Sequence, residues 1–140
     1  HLPSDIEAQH SETAFLTNRA MEYISTRNKD TPWCLHLSYF NPHWPLLAPS
    51  PYHKMYKESD VIGVVKDKIE MKNPHPVFSA FQQLEYSRNY TDEEKRRHVI
   101  PTYMGLISEI DHHIGRLVTF LDDNNLSENT VIIFTSDHGD

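Results

Sequence analysis

Two short apolar runs decide what this chain can build. WCLHLSYF fills Trp33 to Phe40 and TVIIFTS fills Thr130 to Ser136, both rich in aromatic, aliphatic or β-branched residues. Each is too short for a typical helix and too continuously apolar for a half-exposed strand. That pattern suits strands buried on both faces of a parallel sheet. Helical periods alternate with them. Phe15, Leu16, Ala20, Tyr23 and Ile24 recur at helical spacing over 11–26, with Ser11 or Thr13 placed to cap the start. Asp92 to Asn124 carries the strongest period: Tyr103, Ile107, Ile110, Ile114, Leu117, Val118 and Leu121 mark one face. Thr91 and Glu94 predict a capping box for it, and Pro101 predicts a division into a first helix and a longer second one. The order helix, strand, loop, helix, strand is that of an α/β fold, a mostly parallel sheet flanked by helices. At 140 residues the chain is the size of one domain, 1–140.

The connection after the first run is unusual. NPHWPLLAPSP, residues 41–51, holds Pro42, Pro45, Pro49 and Pro51, a density that neither a helix nor a central strand tolerates. It predicts a stiff, extended loop leaving the first strand, with a short helical turn over Tyr52 to Tyr56. Residues 60–89 carry little pattern and read as an irregular excursion, broken by Pro74 and Pro76, with a helix around Val77 to Tyr86.

Composition removes several function classes. A net charge of −7 argues against a nucleic-acid partner. The cluster Lys95-Arg96-Arg97-His98 follows Asp92-Glu93-Glu94 and reads as a solvated helix start. No apolar run approaches the ~18 residues that a membrane span requires. Cys34 is the single cysteine, so no internal disulfide can form. That favours a reducing compartment and hence a cytoplasmic location.

In open α/β sheets ligands gather outside the carboxyl ends of the strands. The first run delivers Asn41-Pro42-His43 there, and the second delivers Ser136-Asp137-His138-Gly139. Asp137 and His138 suit a divalent metal, because carboxylate oxygen and neutral imidazole nitrogen both donate to one. Neighbours on a strand point to opposite faces, so both reach one ion only where the chain bends, and Gly139 permits the bend. The alternative is that Asp137 caps a following helix while His138 packs locally. His43 is held between Pro42 and Trp44-Pro45, a rigid setting that fits a residue whose orientation matters, or one that simply packs. His112 and His113, with Glu109 and Arg116 nearby, fall on the polar side of the isoleucine stripe and read as solvent-exposed. Cys34 reads as a small buried hydrophobe.

The segments PWCLHLSYFNPHWPLLAPSPYHKMY and YMGLISEIDHHIGRLVTFLDDNNLSENTVIIFTSDHGD together resemble the sulfatase family of the alkaline phosphatase superfamily, and in particular its phosphonate monoester hydrolase branch. The resemblance runs from the 17–24 helix onward and is weakest over 60–89. It implies a metal-dependent hydrolase of sulfate, phosphate or phosphonate esters, acting on a small anionic ester substrate. Asp137 and His138 of the SDHG motif would help hold the metal, which stays open among manganese, zinc, iron and calcium. His43 of the PHxP-type motif would reach the ester's oxygens or leaving group.

Such enzymes carry a formylglycine nucleophile made within a Cys-x-Pro-x-Arg or Ser-x-Pro-x-Arg motif, and this sequence has neither. The nucleophile is therefore expected outside this chain, as are the first acidic metal ligands and a basic residue beyond SDHGD. The sequence thus resembles the middle of such an enzyme and is expected to be inactive alone. A non-catalytic α/β module, an inactive homologue and a phosphodiesterase with a plain Ser or Thr nucleophile are the competing readings. A homo-oligomer stays open.

Overall fold

The computed structural model describes residues 3–28, 30–63, 69, 72–85, 87 and 92–139. Helix α1 spans Glu12–Ser25, α2 spans Pro76–Phe81 and α3 spans Glu93–Asp123, with single 3-10 turns at Ala8–His10, Tyr52–Lys54, Glu58–Asp60 and Ser127–Asn129. No described helix is long and apolar enough to cross a membrane.

Helix α1 starts where Ser11 accepts a hydrogen bond from the Ala14 amide at 3.1 Å, which satisfies one of the unpaired N–H groups of the first turn. Its inward face is the apolar one expected only in part: Ala20 and Ile24 are on it, and two threonines join them. Phe15 and Tyr23 are exposed, and Thr13, Ala14, Thr17, Ala20 and Ile24 are buried. These small side chains let neighbours approach closely, and the two threonines give the face a hydrogen-bonding edge.

Helix α3 is capped by Asp92, whose carboxylate accepts from the amides of Glu94 and Lys95. Thr91, the expected cap, lies outside the described residues. Pro101 does not divide the span: one helix of 31 residues runs through it. Proline's φ suits a helix, and its cost, about 3 kcal/mol, comes from the missing N–H bond and the ring's clash one turn back. Here the ring is buried among the residues that α3 packs inward.

The buried face of α3 is Pro101, Thr102, Gly105, Leu106, Glu109, Ile110, His113 and Leu121, whereas Ile107 and Val118 face outward. The helix is thus rotated from the isoleucine stripe that the sequence suggested. Gly105 explains part of that rotation. A Cβ there would collide with the Tyr52 carbonyl oxygen, so the turn Tyr52–Lys54 sits directly on the helix backbone. Ala48, Tyr52 and Leu106 form the small apolar core at this contact, with Ala8 and Leu46 packed against it.

No strand is assigned among the described residues. A strand is defined by its hydrogen-bonded neighbour, and 33–40 and 130–136 run without one among those residues. Burial along 33–40 nevertheless alternates with period 2: Trp33, Leu35, Leu37 and Tyr39 are half-buried, and Cys34, His36, Ser38 and Phe40 are exposed. One face is therefore covered here, not two, and Cys34 is exposed and not buried. The 41–51 loop is irregular as its prolines require. Helix α2 begins with Pro76 at its first turn and covers the start of the 77–86 span expected to be helical. Much of 64–71 and 86–91 lies outside the described residues.

Candidate metal and leaving-group site

His43 stands exposed at the head of the proline loop. Its amide donates to the Phe40 carbonyl at 3.1 Å, closing a turn over 40–43. Its ring lies 4.8 Å from that of Phe40 and 5.9 Å from that of Trp44, centroid to centroid. Nδ1 lies 2.7 Å from the Trp44 carbonyl oxygen, an acceptor only, so Nδ1–H is the donor. That fixes the tautomer and leaves Nε2 to face a ligand, as an acceptor when the ring is neutral and as a donor when it is protonated.

Asp137 and His138 are likewise exposed. The His138 amide donates to Asp137 Oδ1 at 2.9 Å, and His138 Nδ1 donates to the Gly139 carbonyl at 2.6 Å. His138 Nε2 and Asp137 Oδ2 then stand 3.6 Å apart. The chain bends at Asp137, and the two neighbouring side chains stand side by side. With Nδ1–H occupied, the Nε2 lone pair is the one that stands beside the Asp137 carboxylate. Two donors are half a site, and no group of three His, Cys, Asp or Glu able to hold a metal occurs among the described residues. The contacts of His43 lie with Phe40 and Trp44, apart from this pair.

The polar groups at the heart of the chain were not legible in sequence. Glu109 is 0% exposed, and His113 is 4% exposed although the His112-His113 pair reads as solvent-facing. Burial pushes the Glu109 carboxyl up from the ordinary range, opposed by Ser11 and Asn41. Asn41 donates to Glu109 Oε2 at 3.3 Å and to Thr13 Oγ1 at 3.1 Å. Glu109 Oε1 has no hydrogen-bond partner; the Ser11 hydroxyl stands near enough to ease the charge but outside hydrogen-bond geometry. Burial holds the His113 imidazole down at about 4, helped by Arg116 and His112. Arg116 donates to His113 Nδ1 at 2.9 Å and to Asn18 Oδ1 at 2.8 Å, tying α3 to α1. Thr17 gives its hydroxyl proton to the Thr13 carbonyl at 2.7 Å and therefore accepts from Tyr39, 2.8 Å away. The available signal was spacing: Thr102, Leu106, Glu109 and His113 repeat at helical intervals around Gly105.

Both motif-bearing ends follow extended segments, 33–40 and 130–136. The Sulfatase family profile covers residues 3–140. The chain belongs to the sulfatase family. It is 38% identical over 154 residues to the multifunctional alkaline phosphatase superfamily protein PehA of Trinickia caryophylli, covering 99% of this chain and 29% of that protein. In structure it is similar to the phosphonate monoester hydrolase SpPMH of Silicibacter pomeroyi, with a TM-score of 0.70 and 27% identity over 91% of this chain and 27% of that one. The phosphonate monoester hydrolase of Agrobacterium radiobacter shares the fold, with a TM-score of 0.77 at 22% identity over 89% of this chain and 27% of that one. This sulfatase chain thus spans less than a third of the length of the proteins it matches.

Proposed function

We propose that this chain is the central part of a metal-dependent hydrolase of sulfate, phosphate or phosphonate esters, in which Asp137 and His138 supply part of the metal site and His43 serves the leaving oxygen. The observation that carries the reading is the turn at 137–139. His138 Nδ1–H is spent on the Gly139 carbonyl, and Nε2 is set beside the Asp137 carboxylate at 3.6 Å. One oxygen and one imidazole nitrogen form a donor set that fits zinc, iron or manganese as half of a coordination shell, and fits calcium, which takes oxygen ligands, poorly.

In this reading 33–40 and 130–136 are strands of a mostly parallel sheet, completed by parts of the protein outside this chain, and His43 and Asp137 emerge on one rim of it. The period-2 burial of 33–40 supports that. A bound divalent ion would supply positive charge for the anionic ester and lower the pKa of a nucleophilic hydroxyl.

The chain's own residues do the rest. Asp137 and His138 hold their donors in register through the hydrogen bonds at 138 and 139. His43, its Nδ1–H held by the Trp44 carbonyl, in its protonated form presents Nε2–H to the departing ester oxygen. As the bond from sulfur or phosphorus to that oxygen breaks, the oxygen takes the Nε2 proton and leaves as the alcohol, and the ring becomes neutral. A nucleophile from outside this chain, a formylglycine in such enzymes, makes the attack.

The test uses the full-length protein. His43→Ala should lower kcat by about 10²- to 10⁴-fold and leave metal content unchanged, whereas Asp137→Ala should lower metal content. Full turnover in the first variant sinks the role of His43. Full metal occupancy in the second sinks the half-site.

A further inference from the structure

Asn41 sits at the root of the turn that carries His43, and it is gripped from two sides. Its amide nitrogen donates to Thr13 Oγ1 in the first turn of α1, at 3.1 Å, and to Glu109 Oε2 in the middle of α3, at 3.3 Å. Thr13 and Glu109 are both fully buried. The reverse amide orientation would point an oxygen at a carboxylate, so the donor assignment follows from charge. Two residues earlier Tyr39 is held by Thr17 on the same helix face. Two residues later comes His43, whose amide closes the turn on the Phe40 carbonyl. A tilt at Asn41 acts on the imidazole through at most roughly 7 Å of chain.

A buried carboxylate is an expensive way to hold a surface loop. Burial raises its pKa, and Oε1 makes no hydrogen bond in return. An apolar residue would suit packing alone. The carboxylate does what an apolar residue does not: it accepts from Asn41 and fixes the direction in which the next residues leave the helices.

We infer that Glu109 is a positioning residue, acting through Asn41 to hold the turn that aims the His43 imidazole. This rests on the role proposed for His43 above and extends it to a residue 66 positions away on another element. Glutamine at 109 keeps an acceptor for Asn41, and alanine at either position removes the link.

The experiment is a mutant cycle on the full-length enzyme, read as kcat and KM separately. Glu109→Ala and Asn41→Ala should each lower kcat, by up to about 100-fold for a displaced catalytic group, with KM little changed. Glu109→Gln should retain turnover. In a His43→Ala background the same two alanine changes should lower kcat no further, because the group they aim is gone. Equal losses in both backgrounds overturn the inference and make Glu109 a general support of the fold. So does unchanged kcat in Glu109→Ala or Asn41→Ala alone. Asn41 is only half-buried, so its variant gives the answer if Glu109→Ala does not fold. If His43→Ala itself keeps full turnover, the leaving-group role fails first, and that result is distinct from the other two.

Discussion

The seam between α1 and α3 and the segment 130–139 are opposites. In the seam, Thr13, Thr17, Glu109 and His113 are polar and buried, with Thr17, Glu109 and His113 each hydrogen-bonded to a named neighbour. Along 131–134, Val131 is 87% exposed, Ile133 84% and Phe134 76%, a run of apolar side chains standing in solvent. Hydropathy alone predicts the reverse. The contrast teaches that burial here follows the availability of a partner. Apart from Glu109 Oε1, the seam's polar groups named here find theirs within this chain, so most of their desolvation is offset. The apolar run is backed by no such contact among the described residues.

The largest effect expected from the contrast is acid sensitivity in the seam. His113 titrates at about 4 in the folded chain against an ordinary 6.5, because burial, Arg116 and His112 all disfavour its charge. A depressed folded pKa means the contribution is full above the unfolded value and is lost as pH falls from 6.5 toward 4. Discounted for solvent screening, the loss is about 1–3 kcal/mol. Melting temperature measured from pH 7 down to pH 4 should drop, and His113→Gln should remove most of that slope. Parallel profiles would show that the seam does not carry it. Glu109 works with the opposite sign. Its folded pKa is raised by burial, so its contribution is full at low pH and is lost as pH rises through the folded value.

Next comes the contact that holds the proline loop against α3. Gly105→Ala drives a methyl into the Tyr52 carbonyl, a backbone atom with little room to yield. It should cost about 1–3 kcal/mol, the usual range for overpacking, in a denaturant titration. A neutral result would mean that the turn at Tyr52–Lys54 can lift off the helix. The smallest effect belongs to the apolar run. Val131→Thr and Ile133→Thr in this chain should shift stability by no more than about 0.5 kcal/mol. A loss well above that would mean the run is buried in solution, and the comparison would fail.

How much of this was legible differs by residue type. The caps and turns followed from local chemistry. Ser11 caps α1, Tyr52–Lys54 turns, and the proline run is irregular, since a few dihedral preferences fix each of them. The placing of His43, Asp137 and His138 just beyond the two apolar runs, exposed to solvent, was legible from the order of the segments. The rotation of α3 was hidden. Its isoleucines advertise one face, but a glycine at 105 admits a backbone at close range, and that contact turns Glu109 and His113 inward. The extent of α3 was hidden as well, because a proline signals a break in sequence whether or not its ring finds a buried place within a continuous helix. A parallel sheet is a property of neighbours, and runs such as 33–40 and 130–136 acquire strand character only beside them.

The alternation along 33–40 also gives the protein a built-in reporter. Cys34 is the single thiol in the sequence and stands on the open side of the segment, opposite Trp33, Leu35, Leu37 and Tyr39. Anything laid over that side shields the sulfur. The rate at which a thiol reagent modifies Cys34 therefore registers whether the outer face of this segment is covered, with no second sulfhydryl among these 140 residues to confuse the signal.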